Sequence, residues 1–358
     1  MKRSKKILAA LLIAVLAAAL AACSTPKTEA PKAEAPTAEV PATETPKTDG
    51  GIKIGLVSIA LEHPFHLGER DGAVEYGRRN GVDVIVVSGE NEATKQVEAF
   101  ETLAAQGVDA IIVNAIDAAA VAPSIAAAKE QGIPTVILHS YDENAALVFM
   151  FDELAGAEAV GRDGIRLLEE KNGAPEGQVA IMLGMPGMDI DKTRGGGYIN
   201  VMNEYGVEIV AQEPTDWDNA KAVALMENWL IAYPDLDMIY GLSEGLSIAA
   251  ADVIINAGKR DQIIVCGYDG MPYGIEAVID GTIDNTLMLG SIYTGYLYTR
   301  LAHDVVLGKD LPETYYHKGS LVNIFNAKPA LAMGNDMADN IETFQFDLPM
   351  SELIEMYQ

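Results

Sequence analysis

Two hydrophobic rhythms alternate along the chain after residue 50. Short, almost wholly apolar runs rich in β-branched residues read as strands buried on both faces, and the segments between them carry apolar residues at helical spacing. The pattern predicts strands over 52–59, 82–88, 109–115 and 134–140, with helices over 67–79, 93–106 and 119–131 between them. A further strand over 147–152 leads into a helix over 153–171. Asn80-Gly81, Gly107 and Gly132 stop the helices, because glycine accepts the left-handed conformation that commonly follows a helix. The alternation then starts afresh, with strands over 178–184, 207–213, 238–242, 263–268 and 286–291. Helices over 190–205, 218–232, 244–256 and 293–307, with a short one ending at 280, separate and follow them. Two successive sets of βα units predict an α/β protein of two similar lobes, each a doubly wound parallel sheet, with a cleft between them that suits a ligand.

The run Ile263-Ile264-Val265-Cys266-Gly267-Tyr268-Asp269-Gly270-Met271-Pro272 is the most informative stretch. Gly267 ends a buried strand, and Pro272 suits the first turn of a helix, where its missing N–H is no loss. Tyr268 and Asp269 therefore fall at the carboxyl end of a strand, where open α/β sheets bind ligands. An aromatic face beside a fixed acceptor fits a polyhydroxylated ligand. The same residues also fit a plainer role, with Asp269 capping the next helix and Tyr268 packing beneath it.

Residues 1–23 combine a basic start, an apolar run from Ile7 to Leu20 and the stop Leu20-Ala21-Ala22-Cys23. That is a secretory signal, too short for a spanning helix, and its end resembles the bacterial lipobox, which would make Cys23 the lipidated first residue of the mature chain. Residues 24–50 are nearly all Thr, Pro, Ala, Lys and Glu, the composition of a solvated, extended tether. A net charge of −27 excludes nucleic acid as a partner, since phosphate contacts need clustered cations. The other cysteine, Cys266, lies within the buried strand and reads as a small core residue. Met182 and Met188 read as core fillers, whereas Met185 is a candidate ligand contact. Without a nucleophile elbow, a Walker loop or a dinucleotide fingerprint, neither an enzyme nor a cofactor is expected. Gly195-Gly196-Gly197 lacks the Gly-Lys-Ser/Thr that a phosphate loop requires. His63, His66 and His139, with Glu62 or Asp152 nearby, form no tight ligand motif, so no metal site is expected, and His66 reads as an exposed loop residue.

The assembled chain resembles the type I periplasmic binding proteins of the ribose-binding and galactose-binding kind, the solute receptors of bacterial ABC importers. The resemblance rests on Ile54-Gly55-Leu56-Val57-Ser58 with His63-Pro64-Phe65, on Ile112-Val113-Asn114-Ala115-Ile116-Asp117, on Arg194-Gly195 and on Gly267-Tyr268-Asp269-Gly270. It implies a three-stranded hinge, with crossings near Asp152, Gly290 and Lys318. The first lobe would be 51–152 plus 290–318, and the second 153–289 plus 319–358, the last part being an extra tail. It also implies ligand contacts from His63, Phe65 and Asn114 of the first lobe, stacking by Trp217, donation by Arg194, acceptance by Asp269 beside Tyr268, and a polar pair, Ser243 and Glu244, after the 238–242 strand. Two positions depart from the ribose-binding pattern. His139-Ser140 stand where that pattern has an Asp-Arg pair, and Leu289 stands where it has a glutamine. A hexose, a polyol, a nucleoside and an autoinducer-like diol all remain open as ligands.

The function implied is that of a non-enzymatic, monomeric lipoprotein, tethered to the extracytoplasmic face of the membrane. It would trap a small sugar-like ligand between its lobes and deliver it to an ABC permease. The alternative is a sensor feeding a chemoreceptor or sensor kinase. A lactose-repressor-like regulator is excluded by the lipobox and by the lack of a basic helix-turn-helix.

Overall fold

The structure, a computed structural model, describes residues 51–186 and 190–358. The signal segment, Cys23, the tether and Met188 lie outside the described residues. The first sheet takes its order from β11-β5-β4-β3-β1-β2, where β1 is Lys53–Ser58, β2 Asp83–Ser88, β3 Ala110–Asn114, β4 Thr135–Leu138, β5 Leu147–Phe151 and β11 Thr314–His317. All of its pairings are parallel. Its helices are α1 (Pro64–Asn80), α2 (Ala93–Ala105), α3 (Ala118–Glu130) and α9 (Ser291–Val306). β3, Ala-Ile-Ile-Val-Asn, is buried at every position, as a central strand with helices on both faces must be.

The second sheet has the order β12-β10-β9-β8-β6-β7, built from β6 (Gln178–Leu183), β7 (Glu208–Pro214), β8 (Leu236–Gly241), β9 (Ile264–Cys266), β10 (Asn285–Met288) and β12 (Ser320–Asn323). Around it lie α4 (Glu153–Asn172), α5 (Gly196–Tyr205), α6 (Asn219–Ala232), α7 (Glu244–Asn256) and α8 (Pro272–Asp280). The chain passes between the sheets after β5, after β10 and between β11 and β12. The third passage runs straight on, so β11 lies parallel in the first sheet and β12 antiparallel against β10 in the second. His317, at the end of β11, is buried, and its Nε2 lies 2.9 Å from the Leu289 carbonyl. A carbonyl only accepts, so that nitrogen carries the proton and ties the third passage to the second.

Among the boundaries that differ from the sequence expectation, two bear on the site. α1 starts at Pro64 rather than near 67, because Pro64 takes the first helical position and His63 caps it, its Nδ1 accepting from the Phe65 N–H at 3.3 Å. β9 stops at Cys266, and beyond Gly267 the chain keeps only a single bridge, Asp269 to Met288.

In the first lobe α1 and α9 touch backbone to backbone. A Cβ at Gly72 would lie 1.9 Å from the Ile292 oxygen, and one at Gly295 equally near the Glu69 oxygen. Any side chain there would force apart the helix that carries Phe65 and the helix that follows the second passage.

The tail is not confined to the second lobe. α10 (Ala327–Asp339) packs on α8, and the chain then crosses to the first lobe. There the Arg79 guanidinium donates to the carbonyls of Ile341 and Phe344 (2.7 Å for Phe344), and the Phe346 ring stacks on Tyr296 at 4.1 Å. α11 (Met350–Glu355) returns to α10, where Tyr357 bonds Asp336. The buried Phe344, Phe346, Met350, Leu353 and Ile354 join one apolar cluster with residues of both lobes. The tail thus adds a fourth physical link between the lobes.

Candidate functional site

Residues from the carboxyl ends of the two sheets come together: Phe65 packs against the second lobe's apolar cluster, and the charges of Glu153 and Arg194 act on His139. On the second-lobe side Arg194 is the centre, 5% exposed and set in a π-helical turn, Asp191–Gly195, that runs into α5. Such wide turns displace a side chain from ordinary helical register and recur at functional sites. Its Nε and Nη2 each donate to a Glu153 carboxylate oxygen at 2.9 Å, and its Nη1 donates to the Leu242 carbonyl at 2.6 Å and to Asp269 Oδ1 at 3.0 Å. Four of the five N–H donors of a guanidinium are therefore engaged within the protein, leaving one for a ligand. Beneath it, the Tyr268 ring centroid is 3.8 Å from the guanidinium carbon. Burial works to raise the Glu153 pKa, but the charge and hydrogen bonds of Arg194 outweigh it and hold the carboxyl below its usual range. Asp269 comes out the other way: burial, with Glu153 nearby, overrides Arg194 and pushes it up to about 6.

Asp269 has φ +119°, a conformation L residues rarely adopt. Such outliers persist only where the surroundings hold them and are concentrated at ligand sites. The plainer role as a helix cap is ruled out. The cap position of α8 is Met271, with no side-chain cap bond, while Pro272 does open the helix.

Aromatic rings form the first-lobe side. The His139 imidazole stacks on Phe151 at 4.4 Å, and Phe65 meets Phe151 edge-on at 6.2 Å. Burial pushes His139 down to about 4, with His66 and Arg194 adding to the fall and Glu153 opposing it. The imidazole is therefore neutral near pH 7 and offers one donor and one acceptor. Asn114, 6% exposed at the end of β3, has only its backbone carbonyl bonded, by Gln96 Nε2 at 2.7 Å. Its side-chain amide has no hydrogen-bond partner among the described residues. A nearly buried amide without a partner is expensive unless something else satisfies it. Phe65 also packs against the second lobe's core cluster, so the lobes touch across the cleft.

Several sequence expectations change. Tyr268 is 0% exposed and offers no face to a ligand; it supports Arg194 instead. Leu289 is buried too, its side chain in the second-lobe core and its carbonyl bound to His317 and Thr294. Both corrections have one cause: apolar area at a strand end is buried by the layer beneath it before a ligand can use it. Arg194 turns out to be held mainly by protein carboxylates. Ser243 caps α7, accepting from the Leu246 N–H at 3.4 Å. Trp217, at φ +61°, lays its ring on the backbone of Gly184 and is half-buried. Met185 is 47% exposed on the turn after β6, His63 is exposed, and Ser140 is half-buried beside His139. His66 is a half-buried helical residue rather than a loop residue, 2.8 Å from the buried Glu69. Cys266 is free and buried.

Glu153 and Phe151 were not legible in the sequence as site residues. A carboxylate in the first turn of a helix already has an ordinary reason to be there, the helix dipole. Phe151 looks like any core strand residue until its partners are known.

A family model described as a periplasmic binding protein domain matches residues 54–310. The ribose import binding protein of Bacillus subtilis (strain 168) is 27% identical over 263 residues, covering 73% of this chain and 84% of its own length. Among solved structures, an ABC transporter periplasmic solute-binding protein from Actinobacillus succinogenes with bound D-allose superposes with a TM-score of 0.71 at 28% identity. The match covers 77% of this chain and 99% of that one. An ABC transporter solute-binding protein from Bacillus halodurans with bound myo-inositol gives 0.70 at 25% identity, covering 80% and 99%.

Proposed function

The chain belongs to the periplasmic binding protein domain family, and on that footing we propose that it captures a small, polyhydroxylated ligand between its lobes and delivers it to an ABC importer. The relatives named above carry ribose, allose and inositol in their descriptions. The observation that carries the reading is the unpaired chemistry left at the cleft. Asp269 keeps one carboxylate oxygen beyond its bond to Arg194, Asn114 keeps a whole amide, and His139 keeps a neutral ring. Acceptors and mixed donor-acceptor groups beside aromatic faces fit hydroxyls on a C–H framework. A ligand bridging the lobes favours the closed form by its contacts to both.

A thermal-shift screen of the 51–358 domain with D-ribose, D-allose and myo-inositol tests this. A ligand at a hundred times its dissociation constant should add about 2.7 kcal/mol of stability, and Asp269→Ala should lose that gain. Equal stabilisation of wild type and variant would remove Asp269 from the site, and no stabilisation by any of the three would remove the sugar-like reading.

The lipid anchor is part of the same proposal, supported by the Leu20-Ala21-Ala22-Cys23 stop and the tether after it. In cells, Cys23→Ser is expected to move the protein from the membrane fraction to the soluble one. Retention in the membrane fraction would rule out Cys23 as the anchor.

A further inference from the structure

Asp269 stands two residues before the cap position of α8, where an aspartate side chain ordinarily bonds the backbone N–H groups that follow it. It does not do so here, because those donors are already taken. Glu244, 0% exposed at the start of α7, accepts from the Gly270 N–H at 2.7 Å through one oxygen and from the Met271 N–H at 3.0 Å through the other. Thr286 Oγ1 donates to the same carboxylate at 2.5 Å, anchoring it to β10. The Glu244 backbone N–H donates to the Tyr268 carbonyl at 2.9 Å, so one residue grips the segment on both sides of Asp269. The fit admits nothing larger: a Cβ at Gly274 would lie 1.9 Å from the Glu244 carboxyl carbon, and one at Gly270 2.0 Å from the Met288 Cα. With the amides of 270 and 271 occupied, the Asp269 carboxylate has no local donor and turns to Arg194 and the cleft.

We propose that Glu244 is the positioning residue of the site: it takes the cap amides that Asp269 would otherwise bond and so keeps the Asp269 carboxylate available to a ligand. The inference rests on the reading of Asp269 as a ligand acceptor, and it goes beyond that reading by assigning what makes the acceptor available. Glu244 itself makes no contact with ligand. A glutamine has the same shape but only one acceptor oxygen, and its NH2 faces a second N–H, so one amide is released.

Two measurements on the 51–358 domain test it. In a crystal structure of Glu244→Gln without ligand, the Asp269 carboxylate is expected to leave Arg194 and bond the Met271 N–H, with faster hydrogen exchange confined to Gly270 and Met271. An Asp269 still paired with Arg194 and unchanged exchange would overturn the proposal, whatever the ligand proves to be. In calorimetry with D-ribose, D-allose and myo-inositol, Glu244→Gln is expected to weaken the binding of whichever wild type takes by about tenfold or more, as for loss of a charge-assisted hydrogen bond. Adding it to Asp269→Ala should bring no further loss, since it acts through Asp269. Independent, multiplying losses would reduce Glu244 to a merely structural group and sink the proposal. If none of the three sugars binds wild type, the sugar-like reading fails while the crystallographic and exchange outcomes still decide the role of Glu244.

Discussion

Arg194→Ala should unfold at markedly lower urea than wild type near pH 7.5, with a loss of about 3–5 kcal/mol, because it strands two buried carboxylates. Glu153 gives up both of its guanidinium bonds, and Asp269 gives up its bond to the Arg194 guanidinium. Burial on its own would raise both groups, and in wild type it is Arg194 that opposes the rise. Without Arg194 the two carboxyls face each other in a poorly solvated site, so at least one should take up a proton on folding. The loss should therefore shrink as the pH is lowered towards 5. Arg194→Lys keeps the charge but not the planar fork that meets Glu153 with two parallel bonds, and it should fall between wild type and alanine. Sugar binding should vanish in the alanine variant, since Asp269 loses its orientation. A loss below about 1 kcal/mol would mean that Arg194 behaves as an exposed surface ion, contrary to its burial.

Acid should withdraw the contribution of two buried histidines well before the ordinary carboxylates titrate. His317 and His139 are pushed down to about 4 by burial, so both stay neutral in the folded chain while the unfolded chain protonates near 6.5. A depressed histidine contributes its full stability above pH 6.5. That contribution falls as the pH drops towards 4, by about 1.4 kcal/mol per pH unit and about 3 kcal/mol in all for each group. Asp269 works the other way. With its pKa raised from 3.8 to about 6, it contributes stability that is present in acid and lost as the pH rises through 6, up to about 3 kcal/mol. Glu244, pushed well above the usual carboxyl range by burial and by Asp269, and Asp284, raised by burial, act in the same direction as Asp269, so the histidine contribution shows as a difference between wild type and a histidine variant. Glu153, held below its usual value, adds a further loss at lower pH still. Urea titrations from pH 7.5 to 4 measure the slope, and His317→Gln should flatten it. An unchanged slope in the variant would contradict the assignment.

Both predictions depend on groups whose importance comes from neighbours far away in sequence. Glu153 and Arg194 lie 41 positions apart, and Arg194 and Asp269 lie 75 apart. Nothing in the local pattern around any one of them announces the others. The aromatic side of the cleft is similar, since Phe65, His139 and Phe151 come from a helix start, a strand end and the strand at the first passage.

By itself, the sequence was enough to determine the alternation of strands and helices, its restart after α4 and the two-lobed architecture. Those features follow from hydrophobic period, glycine stops and short loops, which act within a few residues. Position alone also singled out Asp269 as a carboxylate at a strand end, where such sheets bind ligands, whereas Asn114 and Arg194 were singled out by the family resemblance. Only the tertiary structure decided what each of them does. Tyr268 and Leu289 were drawn into the core, Arg194 was given to Glu153 and Asp269, and Glu244 took the amides that would have made Asp269 a helix cap. Burial, ion pairing and competition for a hydrogen bond depend on which groups meet in space, and chain order carries that information only through the fold.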